Sequence, residues 1–94
     1  MIQLGGNIQL EGFEALEPGK LVVVKKMVGN YARQISDSNK DFEKLSMVLK
    51  KEGGMFELKA AAIIAGKESS KVVNDSRLFY GLDNALNGLM GLIK

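Results

Sequence analysis

The sequence has neither cysteine nor histidine. Without thiols it has no disulfide framework, no thiolate zinc site and no cysteine nucleophile. Without imidazole it lacks the commonest general base and the commonest metal ligand. Long apolar runs are missing as well, and none approaches the ~20 residues of a membrane span. The apolar start carries no basic region and no cleavage motif, so it does not read as a secretory signal. Neither sign of charge dominates, with 13 basic and 11 acidic residues for a net +2. No Ser–base–acid or Ser–Lys arrangement is visible. Gly5-Gly6 has no glycine-rich fingerprint around it and no helix starting there, which argues against nucleotide binding. Glu11, Glu14 and Glu17 lie three apart, but with no histidine and no calcium-loop pattern they read as an acidic loop. The expectation is a cytoplasmic, non-enzymatic protein with no membrane partner, no cofactor, no metal and no catalytic residue.

The 94 residues suit one domain, 1–94, with a single core. A chain 46% hydrophobic and 26% charged has enough apolar surface to fold. Met1 to Phe13 alternates, with Ile2, Leu4, Ile8 and Leu10 on one side and Gln3, Asn7, Gln9 and Glu11 on the other. Gly5-Gly6-Asn7 separates two copies of Ile-Gln-Leu. Either one strand bends at a glycine bulge or a small hairpin turns there; the bent strand is the favoured reading. Glu17-Pro18-Gly19-Lys20 fits a type II turn, and the proline fits a first helical turn equally well. From Leu21 to Ser36 the apolar positions Leu21, Val24, Val28, Tyr31 and Ile35 keep helical spacing, with Gly29 and Ala32 at one edge.

Three strands follow. Leu45, Met47 and Leu49 alternate with Lys44, Ser46, Val48 and Lys50; Lys51-Glu52-Gly53-Gly54 makes a hairpin connection. Phe56, Leu58, Ala60, Ala62 and Ile64 then alternate with Glu57, Lys59, Ala61 and Ile63. Helix propensity favours the alanine run, but the hairpin signal and the alternation outweigh it. After a turn at Gly66-Lys67, Ser69 to Val73 is a short last strand. Ser76 to Lys94 is an amphipathic helix, with Leu78, Leu82, Ala85, Leu86, Leu89, Leu92 and Ile93 on its apolar side, capped by Asp75 or Ser76. Gly81 and Gly88 border that side. Each costs about 1 kcal/mol of helix propensity, so they read as room for the first helix to approach at Gly29 and Ala32. The order β-α-β-β-β-α predicts an α+β two-layer sandwich. Its four-stranded, mostly antiparallel sheet has a right-handed first crossover and both helices on one face.

This order, and the residues from Phe56 to Leu89, resemble the N-terminal domain of ribosome hibernation-promoting factors. Asp75, Phe79, the Leu82-Asp83 pair and Leu89 stand where that family has an acidic, aromatic-bearing helix start followed by an apolar-Asp pair and a leucine-bearing helix. Gly66 matches a glycine before the last strand. The resemblance implies binding to rRNA or the small ribosomal subunit through basic helix surfaces. The chain departs from the family there, because Arg77 and Lys94 are the only cations of its last helix. It also looks like small uncharacterised archaeal proteins of this length, from which no function carries over.

Two candidate surfaces emerge. Between Lys20 and Lys59 nine basic residues face five acidic ones. The candidate nucleic-acid-binding residues are Lys25, Lys26 and Arg33 on the outer face of the first helix and Lys44, Lys50 and Lys59 on the outer sheet face. That sheet face has no outward aromatics, so base stacking on it is not expected. The alternative is an interaction module for another protein or a second copy of itself. Its candidate residues are an outward Val48, Ala61 and Ile63 strip and the amides Asn84 and Asn87. Asp83 reads as a solvated or hydrogen-bonded helix residue rather than a catalyst.

Overall fold

The computed structural model describes residues 2–4 and 6–93. The chain runs β1 (Ile2–Leu4), β2 (Ile8–Glu11), α1 (Pro18–Ser38), β3 (Phe42–Glu52), β4 (Met55–Ile64), β5 (Lys67–Asp75) and α2 (Leu78–Leu92). The α+β sandwich is as expected, but the sheet has five strands in the order β1-β2-β3-β4-β5. The difference lies at the start. The two Ile-Gln-Leu copies form a hairpin, with Ile2 opposite Leu10 and Leu4 opposite Ile8, in place of one bent strand. Alternation could not separate these outcomes, because both put Ile2, Leu4, Ile8 and Leu10 on one face. Pairing decides it by giving the β1 backbone a hydrogen-bonding partner. Gly5 lies outside the described residues.

β2 and β3 are parallel, with Ile8 beside Leu45 and Leu10 beside Met47, so β2-α1-β3 is the crossover unit. The other pairs are antiparallel. α1 begins at Pro18, where the missing proline N–H costs no helical hydrogen bond. Within the Leu-Val-Val-Val run the helical period dictates exposure: Val24 is fully buried while Val22 and Val23 face solvent. Val24, Val28, Ala32 and Ile35 of α1 meet Leu78, Leu82, Ala85, Leu86 and Leu89 of α2 in one core. The floor of that core is Leu10, Leu45, Met47, Leu49, Leu58, Ala60 and Ala62 from the sheet. Both helices therefore cover the same face. α2 lies over β4 and β5.

α2 sits close to the sheet, and this reverses the expectation for its glycines. A Cβ on Gly81 would stand 2.6 Å from Leu58 Cδ1 and 3.1 Å from Asp75 Cβ. One on Gly88 would stand 2.8 Å from Lys71 Cγ. The gap they make is filled by β4 and β5, and Gly29 of α1 has nothing within 4 Å of a Cβ position. The alanines of β4 serve the same approach. Ala60 and Ala62 are short enough for a helix to settle on them, so the strand uses residues that helix propensity would claim elsewhere.

Pairing in register places Lys67, Ser69, Lys71, Val73 and Asp75 of β5 on the helix side, opposite Ile64, Ala62, Ala60, Leu58 and Phe56. Charged residues turned inward on an edge strand discourage pairing with another chain. The turn from β4 to β5 uses Ala65 and Gly66, both at positive φ. A bulge between Phe42 and Lys44 leaves Glu43 out of register, and its Oε2 accepts the Gly66 N–H at 2.6 Å. At the start of α2, Asp75 does not cap by the expected route. The N-cap is Arg77, and Asp75 Oδ1 accepts the Arg77 backbone N–H at 2.9 Å.

Candidate nucleic-acid interface

Each residue of an α-helix turns about 100° from the last, so Lys26 and Arg33, seven apart, fall on one stripe of α1. Both are exposed. Lys25 is a full step round and half-buried, so the three cations do not form a single cluster. Asn30 and Gln34 flank the stripe and are exposed. α1 leaves β2 and returns to a parallel β3, so it runs against both. α2 leaves β5, which is parallel to β3 across two antiparallel pairings, and runs back over β4 and β5. The two helices therefore point the same way and present one continuous outer layer.

A hydrogen bond ties that layer together. Tyr31 Oη of α1 donates to Asp83 Oδ1 of α2 at 2.7 Å. Asn87 Nδ2 reaches Asp83 Oδ2 at 3.5 Å. Asp83 is thus a helix–helix link, as the hydrogen-bonded reading expected. Burial first, then the bond to Asp83 and its negative charge, push the Tyr31 hydroxyl up to about 12. An ordinary tyrosine titrates near 10. The folded state therefore holds this proton more tightly than the unfolded chain. The resulting stability is complete below about pH 10 and is lost as pH rises from there towards 12. The parent protein should lose stability across that window more steeply than Tyr31→Phe, measured by urea unfolding at successive pH values. Parallel curves for the two proteins would show that the bond does not form in solution. At neutral pH the same substitution should cost about 1–2 kcal/mol.

The opposite face of the sheet is uncovered, and pairing aligns its residues in rows. Glu11, Val48, Lys59 and Val72 form one row, and Lys50, Glu57 and Asn74 another. Lys44, Ile63 and Glu68 form a third. The expected cations Lys44, Lys50 and Lys59 are therefore interleaved with carboxylates and make no cationic field. The expected apolar strip is also altered. Val48 and Ile63 are half-buried, and Ala61 is only 6% exposed although it faces away from the helices. Its methyl group is short and sits on a strand paired on both sides, between Ser46 and Ser70. Val72 at 47% and Met55 at 44% are the more exposed apolar groups of that face. Asn84 and Asn87 are exposed on α2, in the other layer, and share no surface with Val48, Ala61 or Ile63.

A cavity of about 290 Å³ opens beside the start of α1, with Leu16, Leu49, Phe56 and Leu78 on its floor. Its charged groups, Glu17, Lys20 and Lys51, are all exposed, so it holds no buried polar group to orient a ligand. Among the described residues no helix is long and apolar enough to cross a membrane.

No protein-family model and no curated protein sequence matches the chain. Its fold does match a solved structure, that of a ribosomal subunit interface protein from Coxiella burnetii. The TM-score is 0.71 over 93% of this chain and 92% of that one, at 9% sequence identity. The topology resemblance seen in the sequence is thereby shown, as a likeness of fold.

Proposed function

We propose that this chain is a non-enzymatic, ribosome-associated RNA-binding domain that meets rRNA with the outer layer of its two helices. The observation that carries this reading is the end-to-end fold match to a ribosomal subunit interface protein. Charge placement supports the choice of face. Lys26 and Arg33 stand exposed on α1, whereas Lys44, Lys50 and Lys59 are offset by Glu11, Glu57 and Glu68 in the rows of the open sheet face. Contacts from such side chains go to phosphates, are independent of sequence and weaken with salt.

The test is co-sedimentation with ribosomes through a sucrose cushion across a salt series. The parent should pellet at low salt and be released as salt rises. Lys26→Glu combined with Arg33→Glu should abolish pelleting at every salt concentration while the circular dichroism spectrum is unchanged. A double variant that pellets like the parent would remove α1 from the contact. The second reading, a protein-interaction or self-associating module, is supported by Val72 and Met55 on the uncovered sheet face. A parent that never pellets but sediments as a dimer would favour it.

A further inference from the structure

The aromatic that the sheet face lacks stands on α2. Tyr80 is 60% exposed. The guanidinium carbon of Arg77 lies 4.0 Å from the centre of its ring. Arg77 is itself held in place: its backbone N–H and its Nε both reach Asp75 Oδ1, at 2.9 and 3.4 Å. Its side chain is still 64% exposed, so the pair is ordered and open to solvent at once. Asn84 and Asn87, one and two turns further on, continue the same exposed stripe with amide donors and acceptors.

This stripe lies in the same outer layer as the cations of α1. Tyr80 precedes Asp83 by less than one turn, and Lys26 precedes Tyr31 by little more than one. With Tyr31 bonded to Asp83 and the helices running the same way, Tyr80 and Lys26 stand at nearly the same level of the layer. Phosphate-binding charge on one helix and an ordered planar stack on the other is the combination that grips unpaired nucleotides. A base inside a duplex is already stacked on both faces and cannot use it.

Resting on the RNA-binding reading above, we infer that the Arg77–Tyr80 pair is a stacking platform for an unpaired base, so that the RNA recognised by this domain is single-stranded at α2. Asn84 and Asn87 lie within reach of the base edge, and Lys26 and Arg33 hold the flanking phosphates. No bond is made or broken; Tyr80 acts as a positioning surface.

The experiment is equilibrium binding by fluorescence anisotropy, with a labelled single-stranded adenosine 12-mer and an RNA duplex of equal length, repeated over a salt series. Tyr80→Ala should weaken single-strand binding at least about fivefold, a stacked base's usual contribution. It should leave duplex binding and the slope of affinity against salt unchanged. Tyr80→Phe should retain parent affinity, because the ring and not the hydroxyl does the stacking. Lys26→Glu should lower the salt slope instead. Because Tyr80 is exposed, unfolding midpoints of all variants should agree, and that is checked first. If the parent binds RNA and Tyr80→Ala binds the 12-mer equally well, the platform is refuted while the basic face survives. A parent that binds neither RNA refutes both.

Discussion

Replacing Gly12 by alanine is expected to destabilise the protein by about 3 kcal/mol, read as a shift in the urea or guanidinium unfolding midpoint. Gly12 follows β2 with φ at +83°, a region that costs an alanine about 1–2 kcal/mol. There is no room either, because a Cβ built there is driven into the Leu49 carbonyl oxygen and backbone of β3. That neighbour is main chain within a paired strand, so it cannot swing aside as a side-chain end could. Overpacking of this kind costs a further 1–3 kcal/mol or so, against a gain of about 0.4–1 from a stiffer unfolded chain. The position matters because Gly12 lets the chain pass over β3 and drop Phe13, fully buried, into the core before α1 begins. A loss below about 1 kcal/mol would mean that this loop does not seat on Leu49 in solution.

Two glycines of one helix should respond with opposite signs. Gly81→Leu gains up to about 1 kcal/mol of helix propensity and should still lose about 2–3 kcal/mol overall. Its first added carbon meets Leu58 Cδ1 and Asp75 Cβ. Leu58 is fully buried, so its methyl group has no free space to move into. The three atoms nearest to a Cβ on Gly88 all belong to the aliphatic stem of Lys71, which is exposed and flexible. The stem can shift outward, and the propensity gain should then leave Gly88→Ala neutral or more stable by up to about 1 kcal/mol. Thermal and denaturant midpoints of the two variants against the parent decide the matter. If Gly81→Leu is the more stable protein, α2 does not rest on β4 and β5 at this distance.

The facing of each element was legible in the sequence by itself. Leu45, Met47 and Leu49, Leu58, Ala60 and Ala62, and Val24, Val28 and Ile35 are buried where their periods put them. Periodicity is a local property, written within one turn or two residues, and burial enforces it directly. From β2 onward the order of elements was legible for the same reason, and with it the likeness of fold. Partners across the chain were not. Whether Ile2 extends the strand of Leu10 or lies beside it makes no difference to alternation. Nothing near Gly81 announces Leu58, and nothing near Tyr31 announces a carboxylate 52 residues away. The sheet-face lysines look basic until register sets Glu57 opposite Lys50, and Ala61 looks exposed until strands on both sides close over it. These outcomes depend on which distant groups share a row, a face or a gap, and only the folded chain brings those groups together.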